Sequence, residues 1–182
     1  GRAPIPWSII KGLKKSGLTF MFLDEGADTG SILMQKEWNI SKTDDATSIY
    51  KKMISTGVSM LKVALPRIEK GAFSVLKQPS KSNYWPERKA DDGRIVWSWD
   101  VLKIDRLIRA TSWPYPGAFC FLKNEKLILW KAKPFFTQIS GKYGQIWKNS
   151  KGELRVKCKG GFIKVLKWEP SEIKLSEGDI LS

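Results

Sequence analysis

The sequence predicts an α/β segment followed by an all-β module. Three observations carry that division. The spacing of apolar residues changes near residues 112–118 from helix-length amphipathic stretches to short runs, Trp113-Pro114-Tyr115-Pro116-Gly117 breaks the backbone there, and the basic excess lies beyond it. The 182 residues are 42% hydrophobic, enough for a packed core, and carry a formal charge of +14. Residues 119–168 alone hold 12 Lys+Arg against 2 Asp+Glu, whereas the tail from Glu169 onward is acidic. A potential of that sign attracts polyanions, nucleic acid first among them.

Several classes are excluded or disfavoured by counts. Without histidine the chain itself holds no Ser-His-Asp or Cys-His triad, no His-ligated zinc and no imidazole base. Cys120 and Cys158 are too few for a disulfide framework or a zinc cluster, so no metal is expected and a reducing cytoplasm fits. No apolar run approaches the roughly 20 residues of a membrane helix, and the first residues lack a signal-peptide layout, so no membrane insertion is expected.

The front segment reads element by element. Trp7, Ile10 and Leu13 have helical spacing, Pro4 and Pro6 stand at the start and Gly12 marks a stop, which predicts a short helix. Leu18–Leu23 is a strand-length apolar run, the turn Asp24–Gly30 is polar, and Ser31–Trp38 resumes as a second strand. Thr43-Asp44-Asp45 is an N-cap cluster. Behind it Ala46, Ile49, Tyr50, Met53, Leu61, Ala64, Leu65 and Ile68 form the packing face of a helix of about 20 residues, closed near Lys70-Gly71. Residues 77–94 are rich in proline, charge and turn residues and read as an extended linker. Asp100 then caps a second helix that turns Val101, Ile104, Leu107 and Ile108 inward.

Five β-like runs follow, at 118–122, 126–130, 144–147, 154–158 and 161–166, separated by glycine- and asparagine-containing turns. Five short strands in about 50 residues match the partly open antiparallel barrel of the OB type, known for binding oligonucleotides. Ten cations, Lys131, Lys133, Lys142, Lys148, Lys151, Arg155, Lys157, Lys159, Lys164 and Lys167, are spread among Trp130, Trp147 and Trp168. That mixture suits phosphates and stacked bases, although a tryptophan in so small a barrel more often fills the core.

The acidic turn is the candidate site. Asp24, Glu25 and Asp28 lie in one glycine-containing loop at the end of an apolar strand, where open α/β sheets bind ligands and a carboxylate can orient a donor or relay a proton. Asp and Gly are equally the ordinary residues of a solvated turn.

GRAPIPW, FLDEGADTGSIL, RIVWSWDVLKIDRLIRA, and PYPGAF followed by LILWKAK, in that order and spacing, resemble the 10-formyltetrahydrofolate-dependent formyltransferases. That superfamily includes methionyl-tRNA formyltransferase and the enzymes that N-formylate amino-sugar nucleotides. The resemblance implies the C-terminal part of a Rossmann-like catalytic domain over residues 1–76, a linker with a helix over 77–117, and an OB-like barrel over 118–182. It implies formyl transfer from 10-formyltetrahydrofolate to a primary amine, with methionyl-tRNA or a nucleotide-linked amino sugar as acceptor.

Of the family's catalytic Asn, His and Asp, the resemblance places the aspartate at Asp28. The other two are expected before Gly1, so the chain lacks the N-terminal half and is expected to be inactive alone. The loop of Asp24, Glu25, Gly26, Ala27 and Asp28 is expected to bind the folate. Arg2, Trp7, Tyr84 and Arg88 are expected to line the acceptor cleft. The alternative function is a non-catalytic nucleic-acid-binding module in which the barrel works alone.

Overall fold

The computed structural model describes residues 2–79 and 84–182; Gly1 and residues 80–83 of the expected linker lie outside the described residues. Helix α1, Pro4–Ile10, starts with proline at a position whose N–H would have no helical partner, and Gly12 at φ 66° follows its end. Strands β1 (Lys15–Met21) and β2 (Ile32–Asn39) form an antiparallel hairpin. Its first strand sits three residues earlier than the apolar run, because Lys15, Ser16 and Gly17 pair with Asn39, Trp38 and Glu37. Phe22 and Leu23 fall outside the hairpin strands, and Leu23 is 90% exposed.

Helix α2, Ala46–Glu69, begins with a capping box: the Asp45 carboxylate accepts from the Ser48 backbone N–H at 2.8 Å and the Ser48 hydroxyl oxygen accepts from the Asp45 N–H. Its 24 residues run through Pro66, which deletes one intrahelical bond. Its inner residues are Ala46, Ile49, Met60 and Ala64. The other apolar positions correct the expected packing face, because Tyr50, Ile54, Val58, Leu61 and Leu65 form a stripe open to solvent. The hairpin and α1 cover only one side of the helix. Ala46 and Ile49 join Ile5, Ile9 and Ala110 in a small core.

After a 3-10 turn at Ala90–Gly93, Ile95 donates its N–H to the Phe119 carbonyl at 2.7 Å, and helix α3, Val101–Ala110, is capped by the Asp100 carboxylate. Its inward residues are those the spacing predicts, with Ile104 fully buried. Each such side chain contributes roughly 1.5–3 kcal/mol by leaving water.

Five strands follow: β3 (Ala118–Leu122), β4 (Glu125–Phe136), β5 (Ile146–Lys148), β6 (Leu154–Cys158) and β7 (Gly161–Glu169). They form one antiparallel sheet in the order β3-β4-β7-β6-β5. β4 and β7 extend past the predicted runs and shift register at Lys131, and a bulge of that kind bends a strand. No strand pair joins β3 to β5 among the described residues. The last residues reach both edges instead, Ile180 bridging Gln145 and Leu181 bridging Leu122. Among the described residues the architecture is therefore mixed α/β with two antiparallel sheets and without a closed barrel.

The larger core joins α3 to this sheet and includes both cysteines. Burial pushes the Cys120 thiol up to about 12 and the Cys158 thiol to about 11, so both stay un-ionised. No helix among the described residues is long and apolar enough to cross a membrane.

Candidate active-site loop

The loop between β1 and β2 is built by short-range bonds and one long-range clamp. The Phe22 N–H donates to the Ser31 carbonyl at 3.0 Å, closing the loop at its base. The Asp24 carboxylate accepts from the Gly26 N–H at 3.1 Å and the Thr29 hydroxyl at 2.6 Å, an Asx-type turn that occupies this side chain with holding the loop's shape. Gly30 is required by space: a Cβ there would stand 1.6 Å from the Phe22 carbonyl oxygen.

Asp28 sits at φ 59°, in the left-handed region that few non-glycine residues adopt. The clamp comes from beyond α2. Gln78 donates one amide N–H to the Asp28 carbonyl and another to the Gly30 carbonyl, each at 2.8 Å. Leu76, two residues earlier, exchanges both backbone bonds with Ile32, which fixes Gln78 beside the loop. No local pattern marks Gln78, since its partners lie 48 and 50 residues away in sequence.

The loop leaves Asp24, Glu25, Gly26, Ala27 and Asp28 all exposed. Asp24 is spent on the turn. Asp28 makes no side-chain hydrogen bond or ion pair with the described residues, so its carboxylate is presented to whatever occupies the space outside the loop. An ionised carboxylate there accepts hydrogen bonds and supplies none, which suits orienting a donor and rules out a direct bond to an oxyanion.

Three of the four expected acceptor residues gather on the segment that follows residue 84. The Trp7 indole donates to the Pro86 carbonyl at 2.9 Å and lies 6.3 Å from the Trp85 ring, the Arg88 guanidinium stands 5.2 Å over Trp7, and Arg2 pairs with Glu87 at 2.8 Å. Burial draws Arg88 below its ordinary value against the opposing pull of Asp92, and its guanidinium also donates to the Asp92 carbonyl. Tyr84 is 72% exposed and, among the described residues, makes no hydrogen bond or ring contact with this cluster. In the sheet Trp130, Trp147 and Trp168 are half-buried, whereas Phe135 and Phe136 of β4, and Tyr143 in the turn before β5, are exposed.

Comparison with known proteins bears on what this loop and fold serve. Residues 1–65 match the family described as formyl transferase and residues 88–179 match the formyl transferase C-terminal domain. The chain belongs to the formyl transferase family. Its sequence is 35% identical over 175 residues to a methionyl-tRNA formyltransferase of Thermodesulfovibrio yellowstonii, covering 96% of this chain and 56% of that protein.

Two solved structures share the fold. HypX of Aquifex aeolicus, in complex with tetrahydrofolic acid, superposes with a TM-score of 0.75 at 22% identity over 92% of this chain and 29% of its own. An N-formyltransferase of Helicobacter canadensis, in complex with folinic acid and dTDP-3-aminofucose, superposes with a TM-score of 0.65 at 21% identity over 88% of this chain and 58% of its own. The chain thus spans 56% of the length of this methionyl-tRNA formyltransferase.

Proposed function

We propose that this chain is the C-terminal portion of an enzyme that moves a formyl group from 10-formyltetrahydrofolate to a primary amine. The observation that carries the reading is the strained, clamped loop that presents the Asp28 carboxylate with no bonding partner among the described residues. Two relatives of the same fold are described with folates, which supports a folate at that loop. Residues 24–28 offer it backbone groups and Asp28 offers it a carboxylate. Residues 1–76 act as the end of a Rossmann-like catalytic domain, 77–117 as the connection, and 118–182 as an OB-like module whose edges the C-terminal tail bridges. Two buried un-ionised thiols suit a reducing cytoplasm.

In the reaction the acceptor amine attacks the formyl carbon on N10 of the folate and a tetrahedral oxyanion forms. It collapses as the bond to N10 breaks, with N10 taking a proton and the new amide nitrogen losing one. Asp28 holds and orients the group that moves this proton. The oxyanion donor and the base are the family's asparagine and histidine, which this sequence does not contain at a matching position. The apolar stripe along α2, from Tyr50 to Leu65, is the surface on which the rest of the catalytic domain would rest.

The relatives' names divide the acceptor between methionyl-tRNA and an amino-sugar nucleotide. The basic excess of residues 119–168 favours an acceptor with many phosphates, methionyl-tRNA. The Trp7, Trp85 and Arg88 cluster is the surface that would take the alternative.

The test of the folate site is a titration of the chain with 5-formyltetrahydrofolate, followed by amide NMR. Shifts confined to residues 24–30 and Gln78 are expected. Absence of shifts there removes the loop from the folate site, and oligonucleotide binding without any folate response would favour the stand-alone nucleic-acid module.

A further inference from the structure

A second, cationic site lies where the front segment meets α3 and the far half of β4. Two cavities, of about 260 and 340 Å³, share Lys42, Asp105, Arg109 and Pro134, and none of residues 24–30 lines either. Lys14 and Arg106 line the first, Lys131 and Lys133 the second, and Lys42 both. The carboxylates in the two linings are Asp45 and Asp105, and both are already engaged. Asp45 caps α2, and Asp105, buried, accepts from Arg109 at 2.9 Å. Arg109 is itself committed to the protein, since it also donates to the Asp44 carbonyl at 2.6 Å.

Five cations therefore face this double cavity without a carboxylate partner among the described residues: Lys14, Lys42, Arg106, Lys131 and Lys133. A patch of flexible surface lysines would be unremarkable, but Arg106 is half-buried. Its guanidinium lies against Gly12, where a Cβ would stand 2.7 Å from Cζ, so the absence of a side chain makes room for it. Arg106 acts on Asp105 only through space, with no ion pair among the described residues, and a half-buried guanidinium so left costs solvation that an anion would restore. Leu13, Leu102 and Phe136 give the first cavity an apolar wall beside the charges.

We propose that this cleft binds a chain of phosphate groups, separately from the loop that carries Asp28. Planar Arg106 supplies a two-pronged contact to one phosphate, and the lysines on either side supply point charges for its neighbours. The reading holds whether or not the chain takes part in formyl transfer. The same chemistry fits an inorganic oligophosphate and a phosphodiester backbone, and the cleft's charge does not depend on the base.

The test uses the 182-residue chain and inorganic tripolyphosphate. In amide NMR, tripolyphosphate is expected to shift Gly12, Leu13, Ser41 and Thr43; shifts confined to other parts of the chain overturn the proposal. In calorimetry, Lys14→Gln/Lys42→Gln/Arg106→Gln is expected to weaken binding roughly 10-fold or more. Lys62→Gln/Lys70→Gln/Lys174→Gln removes the same charge elsewhere and is expected to change it by less than about 2-fold. Equal weakening by both triple variants, or no binding by the unaltered chain, overturns the proposal. A short single-stranded RNA that displaces tripolyphosphate identifies a phosphodiester occupant, and one that fails to displace it identifies a small oligophosphate.

Discussion

Replacing Gln78 with alanine removes the only side chain outside the loop that, among the described residues, bonds to the Asp28 and Gly30 carbonyls, while leaving every residue of the loop in place. Two neutral hydrogen bonds of 2.8 Å are lost. Each is worth about 0.5–1 kcal/mol net, because water replaces the donor once the loop opens. The loop's opening equilibrium should therefore rise by about 1–2 kcal/mol, or roughly 5- to 30-fold. Hydrogen exchange read by mass spectrometry reports that population directly. Peptides covering residues 22–31 should exchange faster by that factor, and peptides from α3 and β4, whose cores Gln78 does not touch, should be unchanged. Unchanged exchange in the loop would refute the clamp. An equal rise in α3 and β4 would show that Gln78 supports the whole fold rather than the loop.

Gly30→Ala places a methyl group 1.6 Å from the Phe22 carbonyl oxygen, so the loop must move; chemical denaturation should show a loss of roughly 1–3 kcal/mol, and the folate response of the loop should vanish. Asp45→Ala removes one half of the α2 capping box and should cost about 1 kcal/mol by the same measurement. Glu153 tests the charge on the sheet. Lys164, then Arg155 and Asn149, hold its carboxyl down to about 2 from an ordinary 4.5. A folded-state value below the unfolded one contributes stability above pH 4.5 that is lost as the pH falls toward 2. Glu153→Gln should flatten that part of the acid titration. Asp105 acts in the opposite sense: burial raises it above 3.8 despite Arg109 and Arg106, so its protonation favours the folded state as the pH falls.

The order of elements could be read from sequence because most rest on local rules. Asp45 at the head of α2, Asp100 at the head of α3, and the inward set Val101, Ile104, Leu107 and Ile108 follow from capping chemistry and the 3.6-residue period. The five β runs were legible for the same reason. Periodicity does not say which apolar residues find a partner within the chain, and so Tyr50, Leu61 and Leu65 read as core and stand exposed. β4 and β7 outrun their apolar cores because pairing carries Lys131, Lys133 and Lys167 along with their neighbours.

The loop was legible as three carboxylates among glycines, yet the division of labour was not. Asp24 is consumed by a turn and Asp28 is left presented, a difference made by Thr29 and Gly26 acting on one carboxylate oxygen. Gln78 left no trace in sequence, since only the return of the chain beside β2 brings it to the loop. In sequence the tail reads only as acidic, whereas Ile180 and Leu181 bridge the two edges of the sheet.

The central claim is that the loop presenting Asp28 belongs to a formyl-transfer site. It is tested most directly by assaying the full-length protein that carries this sequence with radiolabelled 10-formyltetrahydrofolate, offering methionyl-tRNA and an amino-sugar nucleotide in competition. Label should enter one of the two acceptors, and Asp28→Asn should lower turnover by roughly 100-fold or more without shifting the melting temperature. Failure to label either acceptor, or near-normal turnover by the Asp28→Asn protein, would contradict the account.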